Sequence, residues 1–115
     1  MKIAFSVYGN SWDEQVDIRF GRAKGFFVVD SDTEQTEYLD NRAHIDSKQN
    51  AGIETARMLV DHGIQVLITG KVGPKAGKIL READVRIFGG IGYESIREAY
   101  QMFKKGLLVE QKELL

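Results

Sequence analysis

Apolar positions along this chain alternate between short β-branched runs and longer stretches with helical spacing. Ile3-Ala4-Phe5-Ser6-Val7 predicts a first strand. Phe26-Phe27-Val28-Val29 and Thr36-Glu37-Tyr38-Leu39 predict two more, joined by the turn-forming Asp30-Ser31-Asp32-Thr33 as an antiparallel hairpin. Ile53, Ala56, Leu59 and Val60 recur on one helical face and Gly63 follows as a stop, which predicts a helix from about Asn50. Ile64-Gln65-Val66-Leu67-Ile68 then reads as a buried strand. Ala76, Ile79, Leu80 and Ala83 mark a second helix, Val85-Arg86-Ile87-Phe88 a strand, and Ile96, Ala99, Tyr100 and Phe103 a third helix ended by Gly106. Ser95-Ile96-Arg97-Glu98 has capping-box spacing, which assigns Ser95 to helix initiation rather than to chemistry. Residues 107–115 carry no decisive pattern, and no repeat, low-complexity tract or linker interrupts the chain.

The strand-helix alternation of the second half requires crossover connections, while the hairpin puts an antiparallel strand into the sheet. The expected fold is therefore mixed α/β. If the first strand is central, with the hairpin on one side and the strand at Val66 on the other, the chain reverses between them and opens a crevice at the carboxyl ends of those strands. Two segments reach that edge: the loop over residues 8–25 and the turn Thr69-Gly70-Lys71-Val72-Gly73-Pro74. At roughly 17 residues the loop exceeds ordinary connection lengths, which marks it as functional or loosely held. The turn opens into a helix, with Pro74 at a position where no useful N–H is lost. Its free amides and the positive end of the helix dipole favour an anion.

With 115 residues the chain makes one domain, 1–115, able to fold without a disulfide or structural metal. The absence of cysteine removes disulfides, thiolate nucleophiles and cysteine-based zinc or iron-sulfur ligation, and it suits a reducing cytoplasm. The apolar run after Met1-Lys2 is too short for a signal peptide or a membrane span, so a soluble, cytoplasmic protein is expected. Sixteen basic residues against seventeen acidic ones leave no global field to recruit nucleic acid or an anionic membrane. Function must come from local sites.

Val16-Asp17-Ile18-Arg19-Phe20-Gly21-Arg22 places two guanidinium groups around an aromatic and a glycine, a composition suited to clamping an anion. The same residues fit a structural role, with Phe20 in the core and Asp17 paired with Arg19 or Arg22. Lys75 stands where a P-loop needs its second glycine, so the turn at 69–74 is no Walker motif. Gly90-Ile91-Gly92-Tyr93-Glu94-Ser95 follows the last convincing strand, too late for a dinucleotide fingerprint. Both glycine clusters equally fit tight strand-to-helix connections. His62 reads as a cap beside Gly63. His44, in the polar segment Asp40-Asn41-Arg42-Ala43-His44-Ile45-Asp46, is either a solvated loop histidine or a metal ligand. Met58 and Met102 read as core filler. Asp13, Asp17, Asp30 and Asp32 offer carboxylates for metal-dependent hydrolysis, but no spacing rule links them.

Val16-Asp17-Ile18-Arg19-Phe20-Gly21-Arg22-Ala23 resembles the V-D-P-R-F-G-R-A signature of the dinitrogenase iron-molybdenum cofactor biosynthesis family, and Ile68-Thr69-Gly70-Lys71-Val72-Gly73-Pro74-Lys75-Ala76 resembles its I-T-G-N-V-G-P-N-A. Ala51-Gly52-Ile53 and Arg97-Glu98-Ala99-Tyr100 also stand in family order, so the resemblance spans nearly the whole chain. It implies a ribonuclease-H-like α/β fold: a five-stranded mixed sheet whose second strand runs antiparallel to the others, with helices on both faces. It further implies a carrier or scaffold, rather than a catalyst, for an anionic iron-sulfur or molybdenum-iron-sulfur cluster held without covalent bonds. The partners implied are cluster donor and recipient proteins, with the chain a monomer or weak dimer. The binding set expected from the loops and the resemblance is Arg19, Phe20, Gly21, Arg22, Gly52, Thr69, Gly70, Lys71, Val72, Gly73, Pro74 and Gly90, with His44 as the protein ligand to metal. Three departures stand out: Ile18 for proline, Lys71 and Lys75 for two asparagines, and Ser47-Lys48-Gln49-Asn50 where many members have a glycine-rich run. The lysines add positive charge beside the expected ligand. Two rival functions follow from the residues: a metal-dependent hydrolase or nuclease built on the loop aspartates, and a protein-interaction adaptor with no ligand.

Overall fold

In β1 (Lys2–Val7), Ile3, Phe5 and Val7 face one side and Ala4 and Ser6 the other, and all five are buried. A strand buried on both faces needs a layer of structure against each. The computed structural model describes residues 1–45 and 51–112 and supplies those layers. Among the described residues the sheet has six strands in the order β3-β2-β1-β4-β5-β6. β2 (Gly25–Asp30) runs antiparallel to β1 with Phe27 opposite Phe5, and β3 (Thr36–Asp40) antiparallel to β2. β4 (Val66–Ile68) lies parallel to β1 on its other side, and β5 (Arg86–Gly89) parallel to β4. β6 (Val109–Glu110) closes the edge antiparallel to β5.

Of the first five strands only β2 is reversed, as the resemblance implied; the five-strand count, however, is corrected by β6. This strand is two residues long, too short to show an alternating pattern. It is held by contacts remote in sequence instead: Arg86 Nη2 lies 2.8 Å from Glu110 Oε1, and the Gln111 N–H donates to the Ile87 carbonyl at 2.7 Å.

Two helices cover one face of the sheet. Ala56 and Leu59 of α2, described over Ala51–Asp61, and Ala76 and Leu80 of α3 (Pro74–Glu82) pack on Ala4, Phe26, Val28, Leu67 and Ile87. The opposite face is covered by α4 (Ile96–Lys104), whose Ile96, Ala99 and Tyr100 meet Ile3, Phe5, Phe27, Val66 and Ile68. Each fully buried aliphatic side chain in these layers contributes about 1.5–3 kcal/mol through removal from water. Gly63, at φ +73°, ends α2 in the left-handed region, and His62 Nδ1 sits 2.8 Å from the Met58 carbonyl oxygen, the helix-end role expected for it. A one-turn helix after β3, α1 (Arg42–Ile45), is too short for periodicity to reveal. The expected helix start at Asn50 and the 47–50 departure lie outside the described residues.

The long connection after β1 is stitched down along much of its length. Val16 N–H donates to the Glu94 carbonyl at 3.1 Å, Ile96 N–H to Glu14 at 2.8 Å and Arg97 N–H to Trp12 at 2.9 Å. The Trp12 ring packs edge-on against Phe27 at 5.1 Å and beside Tyr100 at 5.5 Å. This loop thus anchors the start of α4 as well as reaching the carboxyl edge of the sheet. No helix among the described residues is long and apolar enough to cross a membrane.

Candidate functional site

Chain order reverses between β1 and β4, and at the carboxyl ends of these neighbours lies a crevice of about 470 Å³. A 3₁₀ turn, Phe20–Arg22, forms one wall; the first described turn of α2 and the start of α3 form the others. Phe20 is buried and packs edge-on against Phe26 at 5.9 Å, which roots the turn in the core. A Cβ on Gly21 would stand 3.1 Å from the N and Cα of Gly52, so this glycine lets the turn lie close on α2.

The two arginines of the turn are tied into the fold. Asp17 is fully buried and accepts from the Arg19 backbone N–H at 2.9 Å, from Nε at 3.0 Å and from Nη2 at 2.9 Å. Such a fork both neutralises the buried carboxylate and fixes the guanidinium, whose own pKa the Asp17 bond pushes up. Arg19 Cζ also lies 5.6 Å from the Tyr8 ring centre. The Asp17 N–H donates to the Ser6 carbonyl at 2.7 Å, and Ser6 Oγ lies 2.5 Å from the Asp17 carbonyl oxygen and 2.6 Å from Thr69 Oγ1. Loop, β1 and the turn after β4 are thereby joined through one buried polar chain. Arg22 Nη1 donates to the Ile45 carbonyl. The structural reading of Phe20 and Asp17 is realised, and it leaves Arg19 and Arg22 on the crevice wall.

The second loop divides its residues between construction and display. Thr69 is fully buried, its hydroxyl committed to Ser6. Val72 is also buried: its N–H donates to Gln111 Oε1 at 3.1 Å while Gln111 Nε2 donates to the Val72 carbonyl at 2.9 Å. A Cβ on Gly70 would come within 2.1 Å of the Ile18 carbonyl oxygen, so only glycine permits this loop-to-loop approach. Lys71, Gly73 and Pro74 line the crevice instead, joined by Lys75. Gly73 caps α3 with no side-chain hydrogen bond, Pro74 opens the helix, and the first turn contains no acid. The amide donors and positive dipole end of α3 therefore have no carboxylate of that turn to answer them.

A family model described as dinitrogenase iron-molybdenum cofactor matches residues 1–106. The chain belongs to this family. It is similar to the apo form of the orange protein of Desulfovibrio gigas, at 40% identity over 96% of this chain and 92% of that one, with a TM-score of 0.93. It also resembles a putative NifB protein from Thermotoga, at 26% identity over 99% of this chain and 96% of that one, with a TM-score of 0.86. No curated protein matches it.

Five residues expected at the family's site do not reach this crevice. Thr69 and Val72 are buried, and Gly70 and Gly90 border a separate groove with Ile18, Ile91 and Val109. His44 lies elsewhere, its Nδ1 3.1 Å from Glu54 Oε2, and the described residues contain no group of three or more His, Cys, Asp or Glu that could hold a metal. The loop aspartates are dispersed as well. Asp13 meets Arg97 at 3.3 Å, Asp30 and Asp32 flank the N-terminal ammonium at 3.6 and 3.0 Å, and Asp17 is taken by Arg19. Conversely, Lys75 on the wall and Gln111 behind the turn were not in the expected set. Lys75 was visible as a departure from the family motif, whereas Gln111 sits in a tail with no pattern to single it out.

Proposed function

We propose that this protein is a non-catalytic carrier that holds an anionic iron- or molybdenum-sulfur cluster in the crevice between the 3₁₀ turn, α2 and α3. One observation carries the reading: Arg19, Arg22, Lys71 and Lys75 converge there from separate segments, no carboxylate lines the crevice among the described residues, and the chain as a whole has a net charge of −1. Local positive charge in a near-neutral protein supports a specific anion site over general polyelectrolyte binding. Without cysteine, a cluster would be held by ammonium and guanidinium groups and by helix-end amides rather than by metal–thiolate bonds. Such holding breaks no metal–protein bond on release, which suits hand-over from a donor protein to a recipient. Membership of the cofactor family and the likeness to a protein known in an apo form agree with this role. The dispersal of the loop aspartates leaves a metal-dependent hydrolase without its paired carboxylates. We also class the fold as ribonuclease-H-like, a reading supported by the order β3-β2-β1-β4-β5 with β2 alone reversed among those five.

The test is anaerobic reconstitution with iron, sulfide and molybdate, followed by gel filtration and visible absorption, of wild type and Gly73→Asp. A side chain at residue 73 meets nothing within 4 Å of its Cβ, so the aspartate caps α3 and occupies the anion's place without disturbing the fold. Wild type should co-elute with a chromophore that Gly73→Asp lacks, while the variant melts at the same or a higher temperature. Absence of a co-eluting chromophore from wild type, or its full retention by the variant, overturns the proposal.

A further inference from the structure

The four cations that line the crevice among the described residues are not equivalent. Asp17 cancels the charge of Arg19, and Arg22 has a donor committed to the Ile45 carbonyl. Lys71 and Lys75 are exposed, and among the described residues neither forms an ion pair. Both stand at the start of α3, Lys75 within its first turn, where the helix dipole disfavours cations and where no acid offsets them. A local rule broken without internal compensation points to a compensating ligand.

Building on the carrier reading above, we propose that Lys71 and Lys75 make the crevice select by charge, taking metal-sulfur anions with two or more negative charges over monoanions of the same size. Coulomb energy follows the product of the charges, so an ammonium about 4 Å from the anion changes affinity roughly fivefold per unit of anion charge, even in water. Two lysines acting together give a dianion an advantage on the order of tenfold over an isosteric monoanion after screening. Shape fit acts on both anions alike and contributes nothing to that ratio, whereas Arg22 and the α3 amides add a preference of the same sign that the lysines do not control.

Tetrathiotungstate and tetrathiorhenate separate charge from shape, since both are tetrahedral and of nearly one size but carry two and one negative charges. Each is titrated calorimetrically into wild type and into the Lys71→Asn, Lys75→Asn double variant. Wild type should prefer the dianion by roughly tenfold or more, and in the double variant that preference should shrink by about tenfold to the part that Arg22 and the α3 amides supply, while the variant melts, anion-free, no lower than wild type. Retention of the full preference by the double variant overturns this inference and leaves the carrier reading standing. Failure of wild type to bind either anion overturns both.

Discussion

Gly70 and Gly73 belong to one turn yet answer to different constraints. An alanine at 70 would drive its Cβ to 2.1 Å from the Ile18 carbonyl oxygen, against backbone that cannot rotate away. Gly70→Ala should therefore cost about 1–3 kcal/mol, read as a lower midpoint in urea. Gly73, at φ −69° with nothing within 4 Å of a Cβ, should accept alanine within about 1 kcal/mol. Equal losses at the two positions would refute the loop-to-loop contact. The motif string could not make this distinction, because it names six consecutive residues without saying which are turned inward. Thr69 and Val72 prove buried and Lys71 exposed because the turn must satisfy Ser6 and Gln111 before it presents anything to solvent. At Asp17 the residues allowed two readings, an ion pair that fixes the loop and an arginine that faces a ligand. The two coexist, since the buried carboxylate secures Arg19 at the crevice wall.

Elements that satisfy their own ends were the ones legible in sequence. In α4, Ser95 Oγ accepts from the Glu98 N–H at 3.1 Å and Glu98 Oε1 accepts from the Ser95 N–H at 3.0 Å, as the spacing of these residues predicts. Ser95→Ala should cost about 1 kcal/mol, measurable by urea titration, with circular dichroism showing the fold retained. A loss below a few tenths would mean that the bonds of Trp12 and Glu14 to this helix start hold it unaided. β1, β2 and β4, with apolar runs, and the three amphipathic helices were readable for the same reason: each carries its pattern within itself. β6 and the one-turn helix over Arg42–Ile45 depend on partners elsewhere, Arg86 and Ile87 for the first, Arg22 for the second. No local window contains those partners.

Over the whole molecule the carboxylates set a direction for acid sensitivity. The Arg42 side chain holds Asp40 down to about 2, the Arg86 side chain lowers Glu110, the Ser95 N–H lowers Glu98, and the Asp32 N–H lowers Asp30. Each is more acidic folded than unfolded, so its contribution is complete above the unfolded carboxylate range near pH 4 and is lost as pH falls through the folded values. The melting temperature should hold steady from about pH 7 to 5 and decline between about pH 4 and 2. Because these groups are exposed or half-buried, added salt should shrink the decline. Calorimetric scans across that range check this, and a midpoint indifferent to acid would contradict it. Gln111 gives the molecule another long-range property. Its side chain brackets both backbone groups of Val72, its N–H is bonded to β5 and its carbonyl accepts from Arg81 of α3 at 2.7 Å. The last described strand thus works as a latch whose bolt lies under the anion-facing turn. The far edge of the sheet and the residue between Lys71 and Gly73 thus share one side chain, and neither can shift without stretching the same pair of hydrogen bonds.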